Sequence, residues 1–332
     1  MRPMHLALVL TLLAGCASVP DKTPLSEVIL EGKSGKTLQR SQVYQEMSQA
    51  RVIHLGEKHD NLHHHRLQVE ILQHLIDSGM RPAIGFETFS RDQTGLLMNY
   101  TQGNVSPFKP VAEEKQEEYL RRQLGWVHRN EWELYAPVLR LAKKYRLPTF
   151  GADLPTGIKV RMTRAGKAEM FGFELKDLFD TDFKMDAYRK LMVEKLSASH
   201  CHTAKEDLLE RLYQTWLARN DAMAHSVVTV GDSLPEQPVV LILGLGHVEH
   251  DMGVMERVHH RKPQWKQVNV GMGEMDGEHH PTLPPAVEMD GHTFAPSHQF
   301  YWLTPANQER EVDDFCSHLP HGTTTPNPQP SK

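Results

Sequence analysis

Between Arg51 and Val270 short apolar runs alternate with stretches in which apolar residues recur every three or four positions. Arg51-Val52-Ile53-His54-Leu55 reads as a strand, followed after Gly56 by a helix with Leu67, Ile71, Leu72, Leu75 and Ile76 on one side, ended by Gly79. Ala83-Ile84-Gly85-Phe86, Pro148-Thr149-Phe150 with Gly151, Val239-Val240-Leu241-Ile242-Leu243 and Gln267 to Val270 supply four more strands. The unbroken apolar run at Val239 suits a strand covered on both faces. Leu139, Ala142 and Tyr145 mark the inner side of a helix from Tyr135 to Leu147, and Thr203-x-x-Glu206 has the form of a capping box opening a long helix toward Thr229. Strands separated by helices predict an α/β fold with a mainly parallel sheet flanked by helices. Residues 155–231 show no strand pattern and are expected to form a smaller helical insertion domain between the core segments 51–154 and 232–275. Residues 276–316 read as a loop and an aromatic segment, and 317–332 as a disordered tail.

The amino terminus has a different pattern. The apolar run Leu6 to Leu13 is too short to span a bilayer, which takes about 20 residues, and it ends in Leu13-Ala14-Gly15-Cys16. With Arg2 ahead of it, this reads as a leader over residues 1–15 closing on a bacterial lipobox, and the alternative is an ordinary signal peptide with a coincidental cysteine. In the first case the mature chain starts at a lipidated Cys16, is tied to the bilayer by that anchor, and continues through a lead-in over 16–50. Ala17, by similarity to lipoprotein sorting patterns, directs it to the outer membrane. A net charge of -5 and no basic stripe exclude a nucleic-acid partner. An oxidising periplasm would allow Cys201 and Cys316 to pair.

Chemistry gathers at the strand ends. In open parallel sheets ligands bind beyond the carboxyl ends of the strands. Those ends carry Gly56-Glu57-Lys58-His59, Glu87, Asp153 and Gly244-Leu245-Gly246-His247. Each residue alone could be a helix cap or a buried hydrogen-bonding group, whereas four strand ends presenting imidazoles or carboxylates to one crevice point to a site. His59, Glu87 and His247 are the set for a divalent metal such as Zn or Mn, and with Glu57 the set for hydrolytic acid–base chemistry. His63 follows His59 by four, a helical step, while His63, His64 and His65 cannot all turn inward, so at least one is expected to face solvent. Gln214, Asp221 and His225 share one side of the long helix and could cap the crevice. The histidine pairs at 200 and 202, 259 and 260, and 279 and 280 read as surface.

Taken in order, Gly56-Glu57-x-His59, Phe86-Glu87, Tyr135-Ala136-Pro137 at a helix start, Gly151-Ala152-Asp153-Leu154-Pro155, Gln214 with Asp221-x-Met223-Ala224-His225, and Gly244-Leu245-Gly246-His247-Val248 resemble the ChaN family. These are haem-binding, iron-regulated lipoproteins of the Tiki and erythromycin-esterase superfamily. The resemblance implies haem as ligand and a role in haem and iron acquisition with an outer-membrane haem receptor system, and the crevice that would take haem or another ligand is the one read above, made by Glu57, His59, His63, Glu87, Asp153, Asp221 and His247. It also implies a homodimer holding cofacial haems through a tyrosine. No short motif marks that tyrosine; Tyr135 beside the crevice and Tyr301 in Phe300-Tyr301-Trp302 are the candidates. Phosphate-binding Gly-rich loops, a G-x-S-x-G elbow and C-x-x-C-H are absent from the sequence. Three classes remain: a lipid-anchored haem-binding protein, a metal-dependent peptide or ester hydrolase using the Glu/His crevice, and a structural envelope lipoprotein.

Overall fold

The computed structural model describes residues 27–103, 111–126, 129–175, 178, 185–275 and 283–306; the leader, Cys16 and the tail expected over 317–332 lie outside the described residues. Ten strands are present among them: β1 (Val28–Glu31), β2 (Thr37–Leu38), β3 (Val52–Glu57), β4 (Ala83–Ser90), β5 (Thr149–Asp153), β6 (Val239–Gly244), β7 (Gln267–Met275), β8 (Glu288–Met289), β9 (His292–Thr293) and β10 (Phe300–Pro305). Eight form one sheet in the order β2-β1-β10-β7-β3-β6-β4-β5. From β10 to β5 every neighbour runs parallel, and only β1 and β2 are antiparallel.

The alternation of side chains along each strand sends two apolar sets to opposite faces. Ile53, Leu55, Ile84, Phe86, Val240 and Ile242 pack under α1 (Arg40–Ser48), α2 (Leu62–Asp77), α3 (Thr94–Thr101), α4 (Gln116–Gln123) and α5 (Arg129–Tyr145). Beyond β5 follow α6 (Thr156–Ala165), α7 (Gly172–Leu175), α8 (Asp186–Ser199), α9 (Glu206–Ser233) and, after β6, α10 (Val254–Arg261). Val52, Ala83, Val239 and Leu241 face Met223, Ala224 and Val227 of α9 and Val254 and Val258 of α10. Each Val, Leu, Ile, Phe or Met side chain so taken from water contributes about 1.5–3 kcal/mol, so the doubly covered strands anchor the molecule.

Residues 155–231 carry four helices and no strand among the described residues, and α9 joins them to the core. Its last turns lie on the sheet, where the Ser226 hydroxyl donates to the Ala152 carbonyl (3.0 Å), while its first turns run out past the carboxyl edge. There Thr215 meets Thr163 of α6 (3.1 Å) and Tyr213 packs with Tyr188, Leu191 and Met192 of α8. At the opposite, amino edge the α2–β4 turn passes through Gly79 at φ +87°.

Several local expectations change. Pro137 lies inside α5, which begins at Arg129 rather than at Tyr135. Thr203 does not cap α9: its hydroxyl donates to the His200 carbonyl, and the helix opens after Lys205. The stretch expected as loop after Asp276 holds the β8–β9 hairpin, and the aromatic segment is β10, seated parallel to β7 and antiparallel to β1. Cys201 is disulfide-bonded; Cys316 lies outside the described residues.

Candidate functional site

Parallel β3, β4, β5 and β6 end side by side, so Glu57, Glu87, Asp153 and Gly244 reach the carboxyl edge together. Pleating separates the acids. Glu57 points to the α2–α5 face and Glu87 to the α9 face, as the neighbours of each show.

Glu57 is buried beneath α2 and α5. Its carboxylate accepts hydrogen bonds from the Gln68 amide and from the Tyr135 hydroxyl (2.9 Å), with His59 Nδ1 at 3.1 Å and His65 Nδ1 at 3.4 Å. His65 Nε2 in turn stands 2.9 Å from the His59 carbonyl oxygen, which fixes the turn. The hydrogen bond to Glu57 raises the pKa of His59, against the opposing effect of burial. The His59 side chain is 54% exposed, so one nitrogen is held by a buried carboxylate and the rest of the ring faces the crevice.

On the other face Glu87 accepts from Arg219 Nη2 (2.5 Å) and from the Gly244 N–H (2.6 Å), and its Oε1 lies 3.2 Å from His247 Nε2. Burial opposes its ionisation, yet His247 and Arg219 hold its pKa well below the ordinary carboxylate value. His247 is itself lowered by burial; its Nδ1 lies 2.7 Å from Asn220 Oδ1, and its ring stacks on Trp216 at 3.9 Å. Asp153 accepts from Lys159 Nζ (2.7 Å) and Arg219 Nε (3.0 Å). Gly244 lets the halves meet, since a Cβ there would stand 3.0 Å from His59 Nε2 and 3.4 Å from Glu87 Oε2.

Three expectations are corrected. Asp221 is turned to Arg257 of α10 in a buried pair (2.8 Å), and the α9 residues that reach the crevice are Trp216, Arg219 and Asn220. His63 is half-buried, lowered in pKa by burial, and its Nδ1 has no protein partner; His64 and His65 are the imidazoles that turn inward. The oxygens of Glu87 are taken by Arg219, Gly244 and His247, and among the described residues no group of three His, Cys, Asp or Glu is disposed to hold a metal ion. His59, Glu87 and His247 therefore lie close together without forming a metal cage.

The model of the family described as haem-binding uptake, Tiki superfamily, ChaN matches residues 43–258. The chain belongs to the ChaN family. That span includes every crevice residue named above and ends before β7. No curated protein matches closely enough to count as a relative. Among solved structures the fold is shared with ChaN of Campylobacter jejuni, solved with cofacial haem: TM-score 0.63 and 18% identity, covering 85% of this chain and 100% of that one. An erythromycin esterase, EreC, in its open conformation gives TM-score 0.43 and 14% identity over 82% of this chain and 80% of that one.

The two tyrosines considered in this ChaN-family chain differ in setting. Tyr135 is buried, its hydroxyl is committed to Glu57, and burial together with that carboxylate drives its pKa upward. A phenolate at Tyr135 is disfavoured by that burial and by the neighbouring carboxylate. Tyr301 lies on β10, where its hydroxyl accepts a long hydrogen bond from the His298 N–H (3.3 Å). Its ring lines a cavity of about 810 Å³ at the carboxyl edge, walled by Leu245, Met275, Pro284, Val287 and Leu303.

Proposed function

We propose that this chain is a lipid-anchored haem-binding protein of haem and iron uptake, and that haem enters the cavity beside Tyr301. The observation that carries the reading is that cavity, found in a chain of the ChaN family. Its volume falls within the range of about 300–1,000 Å³ for small-molecule sites. Apolar side chains supply most of its wall, as a macrocycle needs, and Lys58 and Lys195 stand at its rim paired with Glu274 and Glu249, from which haem propionates would have to draw them. Bound haem supplies an iron centre that a phenolate stabilises in the ferric state; Tyr301 is the residue to hold it. In this reading Cys16 carries the lipid tether and Ala17 after it directs the protein to the outer membrane. A homodimer with its cavities facing one another would fit cofacial haems.

Hemin titration tests this. A saturable Soret change at micromolar hemin is expected, with Tyr301→Phe losing the high-spin ferric spectrum. Loss in His59→Ala instead, with Tyr301→Phe unchanged, moves the ligand to the crevice; no saturable change in wild type removes haem binding. One observation favours a second reading: the Glu57–His59 pair has the form of a general base oriented by a carboxylate. Hydrolysis of a p-nitrophenyl ester or a peptide that disappears in His59→Ala would support the hydrolase.

A further inference from the structure

Phe171 and Phe173 are 58% and 78% exposed, and with Leu62 and Val160 they are the exposed large apolar side chains among the described residues. Their rings stack with centroids 5.7 Å apart at 6°. The tip that carries them is braced: Arg161 lies over the Phe171 ring (5.2 Å) and pairs with Glu174, whose carboxylate also accepts the Phe171 N–H (2.9 Å). Exposed stacked aromatics held in place, rather than folded into a core, imply something that covers them. The stretch 156–175 carries Lys159, Arg161, Arg164 and Lys167 against Glu169 and Glu174, in a chain whose net charge is -5; Lys159 is paired with Asp153 and Arg161 with Glu174, and Arg164 and Lys167 are exposed beside the tip.

The tip stands beyond the carboxyl edge. Arg219 of α9 marks the crevice, and α6 meets α9 one to two turns farther out, where Arg211 Nε donates to the Thr163 carbonyl (3.0 Å) and Gln214 accepts the Lys167 N–H (3.1 Å). The described chain also enters at this edge, because Val28 pairs with Leu303 near the carboxyl end of β10. From β1 to β5 the sheet spans six strand spacings, about 29 Å. The residues from Cys16 to Glu27 can stretch over about 36–40 Å, so a tether at Cys16 permits the tip and the entry point to touch one surface together.

We propose that the Phe171–Phe173 tip is a membrane contact, its rings lying in the interfacial layer of an anionic bilayer with Arg164 and Lys167 facing the headgroups. In the tethered protein this turns the carboxyl edge, with the Tyr301 cavity, toward the bilayer. The orientation rests on the Cys16 anchor of the proposed function; the contact itself is tested without the anchor. The full chain carrying Cys16→Ser is mixed with vesicles of phosphatidylethanolamine containing about one quarter phosphatidylglycerol, and with phosphatidylcholine vesicles. Binding to the anionic vesicles is expected, and Phe171→Asp with Phe173→Asp lowers the partition coefficient about tenfold or more while thermal unfolding is unchanged. Because charge alone could weaken binding, Phe173→Trp is measured too: its added emission is quenched by brominated acyl chains if the ring enters the bilayer. Absence of vesicle binding by the Cys16→Ser chain, equal partitioning of the double variant, or an unquenched Trp overturns the contact. So does conversion of a dimer to a monomer by the double variant with vesicle binding intact, which makes the tip a face between copies. Acyl mass at Cys16 of membrane-extracted wild type is read separately, so failure of the anchor is distinguished from failure of the tip.

Discussion

At Gly244 one absent methyl group sets how closely the two halves of the crevice approach. A Cβ there meets the half-exposed His59 ring at 3.0 Å, and that ring can give, so Gly244→Ala should cost little stability while displacing His59. Glu57→Gln tests what holds the ring. The Glu57 hydrogen bond raises the His59 pKa, so its stabilisation is complete below the ordinary imidazole value of about 6.5 and fades as pH rises through the higher folded value. In Glu57→Gln the imidazole titration followed by NMR should move down toward that ordinary value; an unmoved titration would contradict the pairing. Glu87→Gln leaves Arg219 with Asp153 alone, and losing one partner of a largely buried charge set costs about 3 kcal/mol, readable as a lower urea midpoint. Glu57, His59, Glu87, Asp153 and His247 were legible because each ends a strand or its turn. Arg219, Asn220 and Trp216 were not, since an arginine on a long helix has the pattern of a solvated face until the strand end it meets is known. His65 and Gln68 were hidden in the same way, in a polar run at a helix start.

Between elements, the packing of neighbouring strands can be tested at Gly85. A Cβ there would lie 2.4 Å from the Phe150 ring of β5 and 3.0 Å from Leu241 of β6. Gly85→Ala must therefore spread β4 from its neighbours, at a cost of about 1–3 kcal/mol; an unchanged chemical denaturation midpoint would contradict that packing. The strands covered on both faces, β3 to β7, could be read from their apolar runs. β10 could not: it follows a Pro-, Gly- and His-rich stretch, and Phe300-Tyr301-Trp302 is explained only by β1 and β7 on either side. The start of α5 was hidden because Pro137, normally a mark of a helix opening, sits two turns inside the helix.

For the molecule as a whole, buried imidazoles set the response to acid. Burial pushes His54, His64 and His298 down to about 4 and lowers His247 as well. His54, His64 and His298 are bases kept neutral by the fold. Their contribution is complete above about pH 6.5, where the unfolded chain also leaves them uncharged, and is lost as pH falls toward 4. Each should remove about 1.4 kcal/mol per pH unit across that window. Urea midpoints at successive pH values should fall steeply, and a flat profile would contradict the burial.

The segregation of chemistry to the carboxyl edge also decides where the molecule can be edited. The turn at Gly79 lies at the amino edge, and a Cβ placed there meets no atom within 4 Å. An epitope inserted in that turn, which lies across the sheet from both the crevice and the cavity, should leave haem titration intact. In the proposed tethered orientation, the same epitope would project away from the lipid surface and stay open to an antibody, giving a handle for reading which way the molecule stands.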